Sequence, residues 1–350
     1  MIFGKKNIIG LDIGSKHIKV VQLKDVKGVY YLERLGITTL QPELIVDGSI
    51  LDSSRVVEVV KELISNTDIK AKDTTLSVSG HSSVIIKRVS LPKMSEDELD
   101  ESIKFEAEQY IPFDIADVNL AFQILGPGKE ENMMDVLIAA VKKDKINDYV
   151  SVAKEAGLNP VIVDVDAFAL ENVYEFNYGI KEDKNVALVN IGASMININI
   201  LKGGVSVFTR DSAVGGNLQT EALQKEFTIS YGNAEKLKQG EMIEGILQED
   251  VEAVLSTAAE DIIAEITRSF DYYRDTSNYE NIDELILSGG VALTRNFSAL
   301  LAERTGAEVH IMEPLKNINI PETFDKEYLE KIGPIVTVAI GLALRKVGDK

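Results

Sequence analysis

Residues Ile8–Lys24 form a strand, a tight glycine turn and a second strand, and this unit constrains the fold most. The apolar first strand runs into the turn Asp12–Ser15, and an alternating strand, His17–Leu23, follows at once. A bend built from Gly and Ser exposes backbone N–H groups, and such a nest can cradle phosphate oxygens. Asp12 ends the first strand, where it could hold a magnesium ion that bridges those phosphates. An ordinary hairpin with an N-capping acid would use the same residues, so the motif alone leaves both interpretations open.

The same design recurs in the second half of the chain. Residues Asn185–Leu201 contain an apolar strand, the turn Asn190–Ser194 and a strand in which Ile and Asn alternate. Each copy continues into another strand after a glycine-containing turn, Val29–Leu40 in the first half and Val205–Ser212 in the second. Two similar meanders, one opening each half, indicate a duplicated domain rather than a solenoid of many short repeats. We expect the two turns to face each other and to form a cleft for one nucleotide.

The composition excludes several classes of function. Lys and Arg number 37 against 56 acidic residues, which gives a net charge of −19 and argues against a general nucleic-acid binder or direct adhesion to anionic lipid. The absence of cysteine excludes disulfides and thiolate metal sites and fits a cytoplasmic location. Met1–Lys6 lacks the apolar core of a signal peptide, and no apolar run approaches the ~20 residues that cross a bilayer. We therefore expect contact with a membrane only through a partner.

Residues 81–164 predict a compact β-α-β-β-α-β insertion within the first half. Strand Ser82–Leu91 stops at Pro92, and Ser95 with Glu98 has the pattern of a capping box that opens a helix through Tyr110. Two strands, a helix and the strand Pro160–Val165 complete the insertion.

The pattern after the second meander favours helices, with one further strand pair. A long helix is predicted over Glu249–Tyr273, a strand over Asp283–Leu287 and a helix over Leu293–Arg304. The last helix is predicted over Ile335–Arg345, after the loop-like stretch Pro321–Lys331.

Four elements point to one site: the turns Asp12–Ser15 and Asn190–Ser194, the turn Ser288–Gly290, and the small-residue helix around Gly341. This set resembles the actin, sugar-kinase and Hsp70 superfamily, with its two phosphate loops, adenosine loop and two connecting helices. Within it the chain resembles, over essentially its whole length, the PilM family of type IV pilus assembly proteins, a relative of the cell-division protein FtsA. The resemblance rests on the segments IIGLDIGSKHIKVV, IVDGSILD, FEAEQYIPFD, AGLNPVIVDVDAFAL, FTRDSAVGGNLQTEAL and LILSGGVALTRNF.

The resemblance implies an α/β fold of duplicated actin/Hsp70-like (ribonuclease H-like) domains with an FtsA/PilM-type insertion subdomain. The implied subdomains are a first actin-like unit, an insertion, a second actin-like unit and a helical unit. The first actin-like unit would comprise residues 1–80, 165–185 and 331–350, and the insertion residues 81–164. The second actin-like unit would comprise residues 186–220 and 281–330, and the helical unit residues 221–280.

The resemblance also implies a site for ATP and Mg²⁺. Gly14, Ser15 and Lys16 would offer backbone amides to the β- and γ-phosphates. Asp12 would position Mg²⁺, largely through water. Lys19 would add a cation for the phosphates, although a solvent-facing strand lysine is the alternative interpretation.

The second phosphate loop would consist of Gly192, Ala193 and Ser194. Gly215 and Gly216 would let the backbone approach the ribose.

Two further pairs would surround the nucleoside. Glu235 and Lys238 share a helix face and could pair with the ribose hydroxyls and the adenine edge, or could form only a solvated ion pair. Gly289 and Gly290 would lie against the adenine base, where a Cβ would obstruct it.

Asn190 departs from the superfamily pattern, in which an aspartate usually stands at this place. Asn can orient a magnesium-bound water, but it carries no charge for the metal and cannot accept a proton as a base. Asp166, which enters the first connecting helix, is the remaining acid that could align an attacking water, and helix N-capping is its alternative role. Because water-activating groups supply about 10²–10⁴-fold, Asn190 predicts nucleotide binding with slow hydrolysis, and at most a weak ATPase.

By the same resemblance, the partner is the cytoplasmic N-terminal tail of the inner-membrane protein PilN, bound between the first subdomain and the insertion. Ser82–Leu91 and Ser95–Tyr110 are the expected lining, since an extended peptide needs a strand edge or apolar pockets. Their apolar residues could instead form the core of the insertion. The implied protein is a cytoplasmic adaptor, peripheral at the inner membrane through its partner, in pilus assembly or a related type II secretion system. Other platform proteins and self-association are further possible contacts.

Two other functions remain open at this point. A small-molecule kinase would need a dedicated catalytic aspartate, for which Asp166 is the candidate. An FtsA-like division protein polymerises on membranes and ends in a linker and an amphipathic helix, whereas the sequence here stops shortly after Arg345. His17 projects beside the first turn and is interpreted as a surface residue.

Overall fold

The computed structural model of the chain describes residues 8–277 and 280–348, so the prediction made on Met1–Lys6 lies outside the described residues. The strands are β1 (Ile9–Ile13), β2 (His17–Val26), β3 (Val29–Thr39), β4 (Ile45–Val46), β5 (Ser49–Ile50), β6 (Asp73–Val78), β7 (Val84–Pro92), β8 (Val118–Pro127), β9 (Met133–Lys142), β10 (Asn159–Val165), β11 (Asn185–Ile191), β12 (Ile196–Lys202), β13 (Val205–Ser212), β14 (Glu284–Ser288) and β15 (Glu308–Ile311). The helices are α1 (Ser53–Asn66), α2 (Glu96–Glu108), α3 (Lys143–Glu155), α4 (Asp166–Tyr178), α5 (Asn217–Phe227), α6 (Tyr231–Lys238), α7 (Gln248–Thr276), α8 (Phe297–Thr305) and α9 (Lys326–Leu344), with short 3₁₀ turns at Ile115–Asp117 and Gly290–Leu293. Within these residues no helix is long and apolar enough to cross a membrane.

Two five-stranded sheets share one topology. The first has the order β3-β2-β1-β6-β10 and the second the order β13-β12-β11-β14-β15. In each sheet an antiparallel three-strand meander is followed by two parallel strands. The predicted duplication is therefore confirmed at the level of strand order and direction.

The two glycine turns are also built alike. In the first, the Gly14 amide donates to the carbonyl of His17 at 3.1 Å; in the second, the Gly192 amide donates to the carbonyl of Met195 at 2.8 Å. In both bends, therefore, the glycine amide donates to the carbonyl of the residue three positions later.

The insertion contains a three-stranded sheet of order β7-β9-β8, covered on one face by α2. The predicted capping box is present, since the Glu98 amide donates to the Ser95 hydroxyl and the Ser95 amide donates to Glu98 Oε2 at 2.7 Å. However, β10 pairs with β6 in the first sheet, and Tyr149 and Val152 of α3 lie in the core of that half. We therefore propose a narrower insertion, residues 84–142, in place of 81–164. The other subdomain limits stay predictions.

Helices α4 and α9 connect the two halves. Their apolar residues form one core with side chains of both sheets, such as Leu23 of β2 and Leu188 of β11. A Cβ on Gly341 of α9 would lie 2.0 Å from the carbonyl oxygen of Ala169 in α4, so the two backbones touch at the crossing. Glycine is required there by this close approach.

The last helix begins earlier than predicted. The small-residue segment predicted a start at Ile335, yet α9 begins at Lys326 with Asp325 as its N-cap. The helix includes Pro334, although proline removes an N–H from the helix interior. The carbonyl of Glu330 loses the N–H of Pro334 as a hydrogen-bond partner, and the helix continues through this position. Residues 326–331 are therefore helical rather than part of a loop.

The predicted helix Leu293–Arg304 is likewise interrupted. Leu293 is the last residue of a 3₁₀ turn, and α8 begins only at Phe297 after Asn296, whose φ of +63° is left-handed. That conformation cannot continue a right-handed helix.

Candidate functional site

A cavity of about 940 Å³ lies between the two sheets and is walled by both glycine turns. Gly215 lies beside the second turn, outside the cavity wall. The predicted site residues that line the cavity are Asp12, Gly14, Ser15, Lys16, Lys19, Asp166, Asn190, Gly192, Ala193, Ser194, Gly216, Glu235, Lys238, Gly289 and Gly290. The structure brings these residues together, while their roles stay predictions.

The two glycine turns face each other and touch. The Ser194 hydroxyl donates a hydrogen bond of 2.8 Å to the Ser15 hydroxyl, across 179 residues of sequence. A ligand in this cavity would contact both halves at once.

Asp12 and Lys19 form an ion pair of 2.8 Å in the wall of the cavity. Burial raises the pKa of Asp12 above its ordinary value, although the ammonium of Lys19 opposes this shift. The side chain of Lys19 is only 12% exposed, so it is not a solvent-facing strand lysine.

Asn190 is hydrogen-bonded on both sides by uncharged side chains. Its amide nitrogen donates to Asn197 Oδ1 at 3.0 Å, and its oxygen accepts from the hydroxyl of Ser288 at 3.2 Å. Both polar atoms of the side chain have protein partners, so the second turn has polarity but no charge at this position.

An ion pair crosses the cavity from Lys16, in the first turn, to Glu235 on α6. Burial alone would raise the pKa of Glu235, but Lys238 and Lys16 outweigh it and hold the pKa below its ordinary value. Burial lowers the pKa of Lys238 to about 8, and its ammonium donates to the carbonyl of Gly216 at 2.6 Å. These groups form part of the cavity wall rather than a solvated ion pair.

The glycines around the second turn are fixed by backbone contacts. A Cβ on Gly289, whose φ is +84°, would lie 2.3 Å from the carbonyl oxygen of Ile191, and one on Gly215 would lie 2.7 Å from that of Ala193. By contrast, a Cβ on Gly290 would meet no described atom within 4 Å. The fold itself therefore requires Gly289 and Gly215, whereas Gly290 is free to meet a ligand.

Asp166 is the first residue of α4 and accepts a hydrogen bond of 2.5 Å from the Ser77 hydroxyl. The N-cap of α4 is Val165, so the alternative interpretation of Asp166 as the cap is wrong. Its carboxylate lies in the cavity wall, where it could orient a water molecule.

His17 also lines the cavity, although its sequence context indicated a surface residue. Burial lowers its pKa to about 3, and Lys19 and Lys16 add to this shift, so the imidazole is neutral at pH 7. Tyr328 and Lys331 line the cavity as well. The sequence placed neither of them in the site, because its pattern predicted a loop where α9 has its first turns. The position of His17 directly after Lys16 is the local feature from which its place in the site could have been predicted.

The donor set fits a metal ion that is carried by a ligand's phosphates. In the part of the chain that the structure describes, no three His, Cys, Asp or Glu side chains gather into a metal site. Mg²⁺ characteristically binds through one or two carboxylates together with substrate phosphates and water. Asp12, with Asp166 in the same cavity, meets that requirement.

Comparison with known proteins identifies the group to which this fold belongs. The type IV pilus assembly protein PilM family matches residues 10–347. A solved PilM-PilN type IV pilus biogenesis complex is 26% identical, with a TM-score of 0.86 over 99% of this chain and 100% of that chain. Ethanolamine utilization protein EutJ from Carboxydothermus hydrogenoformans is 15% identical, with a TM-score of 0.59 over 98% of this chain and 90% of that one. MreB 5 of Spiroplasma citri bound to AMPPNP is 15% identical, with a TM-score of 0.54 over 97% and 95% of the two chains. The predicted actin-like fold is confirmed.

Proposed function

This chain belongs to the family of type IV pilus assembly protein PilM, and from that premise we propose that it is an adaptor that binds Mg²⁺–ATP between its halves and the cytoplasmic N-terminal tail of PilN at its insertion. The observation that carries the proposal is the contact of the two glycine turns through Ser15 and Ser194. A single triphosphate placed there would be held by both halves, and its binding energy would stabilise their closure.

The cavity supports the nucleotide part of the proposal. Its volume of about 940 Å³ is within the range of small-molecule sites, ~300–1,000 Å³. Backbone N–H groups of the two bends would receive phosphate oxygens, Lys19 would supply positive charge, and Asp12 would hold Mg²⁺ largely through water. When bound, Mg²⁺ supplies charge neutralisation for the phosphates.

Asn190 supports slow hydrolysis. A neutral amide whose two polar ends are bound to Asn197 and Ser288 cannot take a proton from water. Asp166 could orient a water, but Asn190 would not help it to remove a proton. We therefore infer at most a weak ATPase.

The insertion supports a peptide partner. Most apolar residues of β7 and α2 form the insertion's own core, which was the alternative interpretation of this segment. Val84 and Ile86 of β7 pack instead in the core of the first half. Phe105 packs in neither core, because it projects from α2 with 76% of its surface exposed. Its neighbours Glu101 and Glu108 are exposed acids, so this face would suit an apolar residue flanked by basic ones. Binding to PilN would place the protein at the inner membrane.

Two titrations test the proposal. Mg²⁺–ATP, added to the full chain in a calorimeter, should bind, and a synthetic PilN tail should bind in a second titration. Phe105→Ser should weaken the tail at least tenfold without changing nucleotide affinity, whereas Leu247→Ser, at another exposed apolar residue, should change neither. Absence of nucleotide binding would overturn the first half of the proposal. Unchanged tail affinity in Phe105→Ser would overturn the docking site.

A further inference from the structure

Asp211, on β13, is a half-buried acid that none of the roles above uses. Its two carboxylate oxygens have different partners. Oδ1 accepts from the side-chain amide of Asn197 at 2.9 Å, and Oδ2 accepts from the backbone amide of Gly80 at 2.7 Å. Asp211 therefore joins the second meander to the segment between β6 and β7.

This contact completes a continuous row of hydrogen bonds. Ser288 donates to Asn190, Asn190 donates to Asn197, Asn197 donates to Asp211, and Gly80 donates to Asp211 from the other side. Asn190 and Asn197, within the row, line the cavity, and Gly80, at one end of the row, lies four residues before the insertion begins.

The repeat shows that this acid is specific to the second half. Asn197 pairs with Asp211 on the third strand of its meander, whereas the equivalent Lys19 pairs with Ile37. Since the two sheets share one topology, the sheet itself does not require an acid at this position. Burial raises the pKa of Asp211 to about 6, and Asp166 adds to the shift while His81 opposes it. Taking a carboxylate even partly out of water is costly unless its hydrogen bonds are satisfied, which points to a role for both contacts of Asp211.

A second contact ties the same strand to the insertion. The hydroxyl of Thr209, two residues before Asp211, donates to the carbonyl of Ile86 on β7 at 3.3 Å. The first strand of the insertion thus lies against the strand that carries Asp211.

We propose that Asp211 is a positioning residue that couples the second glycine turn to the insertion, so that nucleotide in the cavity and peptide on the insertion change each other's affinity. The proposal rests on the proposed function for the identity of both ligands. Such coupling is reciprocal, and typical factors are ~5–150-fold.

The chemistry of the row supplies a specific test. An amide has one acceptor oxygen, so Asp211→Asn either presents its NH₂ group to a donor, Gly80 or Asn197, or forces the side-chain amides of Asn197 and Asn190 to turn over. In both cases the variant loses the carboxylate that fixes the direction of the row. Asn197→Asp places two carboxylates side by side. In the double variant, the new carboxylate at position 197 can accept from the side-chain amides at positions 190 and 211. The amide oxygen at position 211 can then accept from Gly80, so every donor has an acceptor again.

The matched control is Glu171→Gln. Glu171 is a half-buried acid on α4 that accepts from Asn199, two residues along β12 from Asn197, and it has no part in the row. This variant should perturb stability without changing the coupling.

The measurement is the ratio of the PilN-tail dissociation constants without and with Mg²⁺–ATP, using the full chain. We expect a ratio that differs from 1 by about fivefold or more in the wild type and in Glu171→Gln, a ratio near 1 in both single variants, and recovery in the double variant. Hydrogen exchange of residues 80–86 in the wild type should also change when Mg²⁺–ATP is added, which keeps the test independent of whether the variants fold.

The outcomes separate this proposal from the proposed function. Coupling that persists in Asp211→Asn overturns the role of Asp211. A wild type that binds both ligands independently, with unchanged exchange at residues 80–86, overturns the coupling and leaves the proposed function intact. A wild type that binds no nucleotide overturns the proposed function, and the coupling with it.

Discussion

Asp12 and Asn190 occupy equivalent positions in the two repeated sheets, each as the penultimate residue of the first meander strand. Asp12 is paired in register with Lys19, and Asn190 with Asn197. The first pair is an ion pair of 2.8 Å and the second a neutral hydrogen bond of 3.0 Å. One backbone design thus carries a charged turn in the first half and an uncharged turn in the second.

Asp12→Ala should weaken Mg²⁺–ATP binding at least tenfold, about 1.4 kcal/mol. The variant loses the carboxylate that would hold the metal. Affinity for ATP in EDTA should fall less, because Lys19 loses its partner and can contact the phosphates instead. Calorimetry with and without Mg²⁺ measures the difference, and Asp183→Ala, at an exposed acid, is the control. Full affinity in Asp12→Ala would contradict the proposed metal position.

Asn190→Asp should increase ATP turnover by roughly tenfold or more, because general bases contribute ~10²–10⁴-fold. The same variant should lower the melting temperature, since its carboxylate faces Asn197 Oδ1. Steady-state phosphate release and a thermal melt give the two values. Asn190→Ala controls for loss of the amide, and equal turnover in both variants would show that this position does not limit hydrolysis.

Gly289→Ala and Gly290→Ala should separate folding from binding. The first places a Cβ 2.3 Å from the carbonyl of Ile191 at a left-handed φ and should destabilise the protein by about 1–3 kcal/mol. The second meets no described atom and should leave the melting temperature unchanged while weakening nucleotide binding. Thermal melts and mant-ATP titrations of both variants distinguish these effects. A stable Gly289→Ala protein would refute the close contact.

His17 should make the protein sensitive to acid. The folded protein lowers the pKa of His17 to about 3, against 6.5 ordinarily, so the unfolded chain binds more protons between these values. The stability associated with the neutral imidazole is complete above pH 6.5 and declines as the pH falls toward 3, by about 1–2 kcal/mol at pH 5. Urea unfolding at pH 7.5 and pH 5 should show a smaller loss for His17→Gln than for the wild type. An equal loss would place His17 in water.

Local patterns predicted the parts of the fold that depend on near neighbours in sequence. The two glycine turns, the capping box of Ser95 and Glu98, and the strand boundaries of both meanders follow from spacing and turn chemistry. The duplicated topology followed from recognising the turn twice, and the family resemblance extended it to the whole chain.

Contacts between distant residues were beyond sequence reasoning. Lys16 and Glu235 are 219 residues apart, and Asp211 meets Gly80 across 131 residues. The resemblance placed Gly289 against the base of a nucleotide, but a Cβ at this position would already clash with the carbonyl oxygen of Ile191. The start of α9 was missed because its small apolar residues begin only at Ile335, whereas the N-cap Asp325 opens the charged stretch before them.

The touching backbones of Gly341 and Ala169 determine how the halves can move. Because no side chain separates the two helices at this contact, they can rotate about it, but sliding along each other would make their backbones collide. Rotation about this contact would change the separation of the Ser15 and Ser194 hydroxyls and would thereby open or close the cavity between the halves.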